Sequence, residues 1–459
     1  MPKINNNNKF LQFRSKFTHF IYEGFDYQYS AVGLRAQFHF NLSDKYSFHP
    51  TLIIPFKEFF KPENLREEYL ENLLFNIGMV EMVSYWKAAC SPKIIIKNYY
   101  LEEEQLNWWK KLYFNGLGEF FYLNGIQTTV EDFVTLECSG EKKLQSFHIK
   151  TEDAAIIPIG GGKDSVVTLE LLSQMNGSIP LILNPREATR GTVQKKGIYY
   201  DTIAEVMRTI DPTLIELNNK GFLNGHTPFS ALLAFVTVLA AVMSGKKYIA
   251  LSNESSANED TVMGTGINHQ YSKSVEFESD FRNYLEKYIC EDIEYFSFLR
   301  PLNELQIANL FSGFPAYFEV FRSCNAGSKN NAWCGKCSKC LFTYLILSPF
   351  IPLEKLNLIF GKNMLEDPSL LEYFNELTGI SAIKPFDCVG TVDEVNAAVQ
   401  ELMKKFAEPL PFLLQQYKQS PQYDKFRGTE INDFLKYYDQ NHFLPGLFEN
   451  RLKAALHDG

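Results

Sequence analysis

A chain of 459 residues is too long for one hydrophobic core, since single cores stop growing at roughly 250 to 300 residues, so two or three domains are expected. Hydrophobic residues at 45% and charged residues at 22% are ordinary for a globular protein, but 39 Phe and 24 Tyr forecast large aromatic cores. A net charge of -9 leaves no electrostatic footprint for a nucleic-acid backbone and favours a small or nucleotide-sized substrate. No window holds the roughly 18 to 20 uninterrupted apolar residues that span a bilayer, and the polar, Asn-rich start lacks the apolar core of a secretory signal, so a cytoplasmic protein with no membrane partner is expected.

In chain order, the first signal is alternation. Val32, Leu34, Ala36, Phe38 and Phe40 interleave with Gly33, Arg35, Gln37 and His39, the period-2 pattern of a half-buried strand, and residues 51–56 read as another. Helical stretches follow at 65–89 and 102–123, the second opening with Glu102, Glu103 and Glu104, where the helix dipole favours negative charge. This makes an α+β unit over residues 1–150. From Ala154 the pattern changes to strands at 156–159, 179–183, 214–217 and 248–251, alternating with helices at 165–175, 193–210 and 229–243. Such alternation implies crossover connections and a parallel sheet covered on both faces, here over residues 151–345. Residues 346–459 read as mostly helical, with a capping box in Thr391-Val392-Asp393-Glu394. The expected class is α/β, with a central parallel-sheet domain between an N-terminal α+β domain and a mostly helical C-terminal region.

Two clusters carry chemistry. Ile156-Ile157-Pro158-Ile159 runs into Gly160-Gly161-Gly162-Lys163-Asp164-Ser165 and then into an apolar helix start. Successive glycines let backbone N–H groups approach an anion, and the helix N-terminus adds partial positive charge, so the segment builds a phosphate cradle. Its spacing fits neither GxxxxGK[ST] nor GxGxxG. A ligand-free turn with Ser165 as N-cap is the bland alternative. Second, Cys324, Cys334, Cys337 and Cys340 supply four thiolates, the number that closes a tetrahedral structural zinc site, and Gly335 permits the tight turn that ligation needs. An Fe–S cluster is the other four-thiolate occupant. Cys90, Cys138, Cys290 and Cys388 read as small core residues.

The glycine loop resembles the SGGxDS signature of the ATP-pyrophosphatase (PP-loop) superfamily, with Gly160 where the family has Ser. That resemblance implies an adenine-nucleotide α-hydrolase-like fold and cleavage of ATP between its α and β phosphates. Together with the CGxCxxC run, the central region is similar to 7-cyano-7-deazaguanine synthase, a zinc-containing relative that adenylates a carboxylic acid. Four further stretches, around Asn253-Glu254, Asn268-His269-Gln270-Tyr271-Ser272-Lys273-Ser274, Trp333-Cys334-Gly335-Lys336-Cys337 and Lys384-Pro385-Phe386-Asp387-Cys388, resemble the MurL family. Its members are UDP-N-acetylmuramoyl-L-alanyl-L-glutamate epimerases of peptidoglycan precursor synthesis. The resemblance implies ATP with Mg²⁺, an acyl-adenylate that acidifies the glutamate α-carbon, inversion, and hydrolysis to AMP.

On this basis Gly160, Gly161, Gly162, Lys163, Asp164 and Ser165 are the candidate ATP-binding residues. Asn253 and Glu254 join them, because ligands of open α/β sheets sit at the carboxyl ends of the strands; loop capping is their alternative role. His269, Tyr271 and Lys273, then His226, are the candidates for proton transfer, although a lone His is more often a hydrogen-bonded structural residue. Arg186, Arg190, Lys195 and Lys196 form a basic run suited to a diphosphate or to a solvated helix face. Residues 1–150 are expected to help hold the UDP-sugar. Two other functions fit the same motifs: a PP-loop enzyme adenylating a tRNA or small acid for nitrogen or sulfur transfer, and a non-catalytic nucleotide-binding protein with a structural zinc knuckle.

Overall fold

The computed structural model describes residues 4–262 and 264–458. Its strands are β1 (His19–Ser30), β2 (Gly33–Leu42), β3 (Tyr46–Phe48), β4 (Thr51–Pro55), β5 (Lys93–Ile96), β6 (Thr135–Cys138), β7 (Glu152–Pro158), β8 (Ile179–Leu183), β9 (Ala204–Arg208), β10 (Lys246–Leu251) and β11 (Glu294–Ser297). All eleven belong to one mixed sheet of order β11-β10-β7-β8-β9-β4-β2-β1-β5-β6, with β3 paired to β2. Strands β11 to β9 run parallel, β4, β2 and β1 are antiparallel, and β5 and β6 extend β1 in parallel. The two halves meet where β4 pairs antiparallel with β9, Leu52 opposite Arg208, so the sheet continues across residue 150.

The parallel half is dry on both faces. Along β7, Ile156 enters one core while Ala155 and Ile157 enter the other; along β8, Leu181 and Ile182 divide in the same way. One core is the aromatic one expected from composition. The helices Glu67–Trp86 and Phe229–Ser244 pack there, and Trp108, Trp109, Phe235 and Tyr284 stack around a Tyr284 hydroxyl that donates to Asn76 Oδ1. The other core joins the helices Lys163–Leu172 and Glu304–Ser312 to the helical C-terminal region. There Phe448, on the final helix Gly446–Asp458, packs its ring on Tyr248 and Phe296.

The capping box at Thr391 forms as expected, and it reaches further. Thr391 Oγ1 accepts from the Glu394 N–H, and Glu394 Oε2 accepts from the Thr391 N–H at 2.6 Å. Its second oxygen accepts the Glu304 N–H, also at 2.6 Å, tying two helix N-termini together.

Three expectations need correction. Residues 214–217 form no strand; they lie in the helix Pro212–Asn219, started by Pro212 at its first position and by Asp211 accepting from the Thr213 N–H. A short apolar run cannot be assigned by periodicity alone, and its cap decided it. The single helix at 193–210 does not form either. Its first three residues end the helix Glu187–Lys195, Gly197 follows with φ of 77°, Tyr200–Thr202 makes a short 3-10 turn, and β9 begins at Ala204. The stretch 102–123 is two helices, Glu103–Gly116 and Gly118–Leu123, divided at Leu117.

Candidate active site

The parallel strands β7, β8 and β10 end together on one edge of the sheet, and their C-terminal residues Pro158, Leu183 and Leu251 line a cleft of about 300 Å³. The phosphate loop forms one wall. Gly161 adopts φ of 83°, which strains any side chain, and a Cβ there would also press at 3.2 Å on the Ala188 and Thr189 backbone. Its N–H donates to Ser165 Oγ at 3.1 Å, and that hydroxyl donates to the Gly162 carbonyl at 3.0 Å, fastening the bend. Gly162, rather than Ser165, caps the helix Lys163–Leu172. The N–H groups at the start of that helix point out of its hydrogen-bond ladder, as helix N-termini do. Gly160, Gly162, Asp164 and Ser165 line the cleft; Gly161 and Lys163 stand behind it.

Lys163 is turned toward carboxylates rather than into the cleft. Its buried ammonium contacts both Asp164 and Glu304, and those carboxylates hold it charged against the cost of burial. Glu304 answers to several neighbours. Burial pushes its carboxyl up to about 8, Lys163 opposing and Asp164 and Glu254 adding to the rise. Asp164, Glu254 and Glu304 thus crowd three carboxyl groups near Lys163, with Lys339 and Lys273 as further cations acting on them.

Positive groups line the same cleft. Arg322 reaches it with its Nε buried and without a hydrogen-bond partner, and Ser252 Oγ is likewise unpartnered. Unpaired buried donors of this kind are costly unless a ligand completes them. Arg186, Lys273 and Lys339 also face the cleft. The rest of the basic run does not: Arg190 pairs with Glu205, Lys195 with Glu319 and Lys196 with Glu170. Asn253 lines the cleft, but its amide donates to Ser297 Oγ at 3.0 Å, so it also braces the loop.

The four cysteines converge. Sγ separations are 3.7 Å for Cys324–Cys337, 3.6 Å for Cys334–Cys340 and 3.5 Å for Cys337–Cys340. A tetrahedral ion with 2.3 Å bonds to sulfur sets its ligands about 3.8 Å apart, so the cluster could hold a metal such as zinc. Backbone N–H groups of Gly327 and Lys336 donate to Cys324 and Cys334 at 3.2 and 3.4 Å. This knot adjoins the cleft, because Arg322 just ahead of it donates its N–H to the Gly161 carbonyl at 2.7 Å.

The proton-transfer candidates are placed unequally. Lys273 lies in the cleft, with Nζ 3.2 Å from Cys388 Sγ. His269 hydrogen-bonds Cys388 on one side and Glu119 on the other; burial works against its charge, yet these partners raise it to about 10. His226 shares the Glu119 oxygen at 3.4 Å, and burial with the nearby His269 charge lowers it to about 4. Tyr271 is buried in the aromatic core, its hydroxyl pushed up to about 12 by burial, and does not line the cleft. Arg300 anchors this wall from beneath: fully buried, it donates to the Glu254 carbonyl at 2.6 Å, contacts the Lys273 carbonyl and pairs with Glu278.

Sequence reasoning missed Glu304, Arg322, Lys339 and, above all, Cys388. Cys388 was expected in a core, yet it is half-buried, lines the cleft, and has its thiol lowered to about 6, Lys273 and His269 overcoming the opposing effect of burial. Its place in the stretch 384–391 was the available signal.

The chain is similar to known proteins along most of its length. Residues 12–298 match the MurL N-terminal domain and residues 320–425 the MurL C-terminal domain. Over 338 residues the chain is 34% identical to the UDP-N-acetyl-alpha-D-muramoyl-L-alanyl-L-glutamate epimerase of Xanthomonas oryzae pv. oryzae (strain MAFF 311018), covering 72% of this chain and 74% of that one. It is 34% identical over 348 residues to the enzyme of the same name from Salinispora tropica, covering 74% and 75%. No solved structure matches.

Proposed function

Because this chain belongs to the MurL family, we propose that it inverts the terminal glutamate of UDP-N-acetylmuramoyl-L-alanyl-L-glutamate in peptidoglycan precursor synthesis, and that it does so by adenylating that glutamate with ATP. An oxygen of the glutamate α-carboxylate attacks the α-phosphorus, the bond to the β-phosphate breaks, and diphosphate leaves. The acyl-adenylate has lost the carboxylate charge, so its α-proton can be removed near neutral pH. After the proton returns to the opposite face, water releases AMP and the D-glutamyl product.

One observation supports this most. A single cleft carries anion-seeking groups at one wall, the amides from Gly162 onward and the unpartnered Arg322 Nε, and a Lys273–Cys388 pair within its lining. Triphosphate would lie against the first and the glutamyl carbon near the second. Mg²⁺ would find carboxylates at Asp164, Glu254 and Glu304, where burial above all, with Asp164 and Glu254 adding, raises Glu304 to about 8 and a cation would favour its charged form. The PP-loop type of the central domain fits a parallel sheet whose glycine loop follows its middle strand. Zinc is the proposed occupant of the four cysteines, clamping Arg322 to the loop. Residues 1–150 would hold the UDP-sugar, since they already send Glu119 to His269.

The test incubates the protein with ATP, Mg²⁺ and UDP-N-acetylmuramoyl-L-alanyl-L-glutamate, then measures AMP, diphosphate and the chirality of recovered glutamate. Equal yields of AMP and D-glutamate are expected. D-glutamate formed without ATP would overturn the adenylation, and AMP without D-glutamate would overturn the epimerisation.

A further inference from the structure

We propose that the Cys388 thiolate is the base that removes the glutamate α-proton, with Lys273 and His269 as cations that hold it charged. The inference rests on the adenylation just described and names the group that acts on its product.

Elimination among the charged neighbours leads to the sulfur. Around Cys388 stand Lys273, 3.2 Å away, His269 in hydrogen-bond contact, and Lys339, whose ammonium contacts the Cys388 carbonyl. The carboxylates nearby are engaged elsewhere: Asp387 accepts from Ser338 Oγ at 2.7 Å, Glu119 lies beyond His269, Asp164 is on Lys163, and Glu254 accepts from Ser256 Oγ at 3.4 Å. Lys273 and His269 are both raised above their ordinary values, so near neutral pH neither has a free lone pair. His226 has one, but it sits behind Glu119 and does not line the cleft. Cys388 does line it, and carries an available electron pair above about pH 6.

In the step itself the α-carbon–hydrogen bond breaks, its electron pair passes into the acyl carbonyl as an enolate, and the proton moves to Cys388, leaving a neutral thiol. A solvent-derived proton adds to the opposite face of the enolate, and Cys388 returns its own proton to solvent. Charge and atoms balance without a redox partner. In D₂O the D-epimer must therefore gain one α-deuterium.

The experiment uses the full chain and separates the two half-reactions. Substrate-dependent exchange of diphosphate into ATP reads adenylation; α-deuterium in recovered glutamate reads proton removal. For Cys388→Ser, exchange should stay within about threefold of the parent while α-deuterium and D-glutamate fall about 10³-fold, the scale of a lost general base. Iodoacetamide labelling of the unsubstituted protein, mapped to the Cys388 peptide, should show a rate inflection near pH 6 that moves upward in Lys273→Met. The proposal is overturned if Cys388→Ser keeps more than a tenth of the α-deuterium, if it loses exchange equally, or if acid quenching traps the acyl group on the sulfur, which would make Cys388 a nucleophile. Absence of exchange in the unsubstituted protein would count against adenylation instead, and α-deuterium would still judge the base.

Discussion

The side chains of the cleft are set by their neighbours more than by their kind. Asp164 is the plainest instance: burial opposes its ionised form, and Lys163 overrules burial, so the carboxyl stays below its ordinary range and faces the loop as an anion. Asp164→Ala removes that anion and frees Lys163 onto Glu304 alone; AMP and D-glutamate should both drop at least about 10³-fold in the coupled assay, a loss in the range expected for a positioned catalytic or metal-binding group. Cys388 gives a pH signature. Its folded value of about 6 lies below the ordinary thiol value, so the charged form contributes stability that is complete above the unfolded value and is lost as pH falls through about 6. Activity should follow the same limb, and kcat/KM should rise from pH 5 to 7 with an inflection near 6 that Lys273→Met displaces upward.

At the scale of elements, the cysteine knot borders the site, and the last helix closes the core behind the parallel strands. Gly335 stands at φ of 64° between two sulfur ligands, and the helix Ser338–Leu347 starts directly after the third, with Cys340 in its first turn. Losing one thiolate should loosen the segment that brings Arg322 to Gly161. For Cys337→Ser, metal content by mass spectrometry should fall from about one ion per chain to near none, and diphosphate exchange should fall with it. The final helix buries Phe448 against Tyr248 and Phe296, with Leu452 in the same core. Phe448→Ala should cost about 3 to 5 kcal/mol by denaturant unfolding, the usual price of emptying so large a core position.

The molecule as a whole is joined through the β4–β9 pair and the ion pair beside it. Arg208 Nε donates to Glu81 Oε2 at 2.7 Å, with the two side chains 12% and 2% exposed, linking β9 to the helix Glu67–Trp86. Truncating one partner strands a buried charge, so Arg208→Met should destabilise by about 3 to 5 kcal/mol. Because the sheet is continuous, Trp fluorescence from the antiparallel half and ATP-site binding should be lost in one transition; two separated transitions would show that the halves fold independently. The cleft likewise draws on distant segments, with Asp164 from the loop, Lys273 from the middle of the chain and Cys388 from the helical region.

What could be read from the sequence was whatever closes on itself over a few residues. The glycine bend, its following helix and the Thr391 cap are satisfied by their own backbone geometry, and the cysteine cluster closes within a span of seventeen residues, so each is legible in the residues alone. Residues 214–217 and 193–210 failed because a short apolar run is equally at home in a helix or a strand, and only Asp211, Gly197 and the partner strands β4 and β8 chose between them. Cys388 failed for a deeper reason. A cysteine is a core residue or a charged base according to which cations meet it in a desolvated place, and Lys273 and His269 reach it from more than a hundred residues away. Spacing along the chain encodes local geometry, whereas the charge on a sulfur is a property of the three-dimensional field around it.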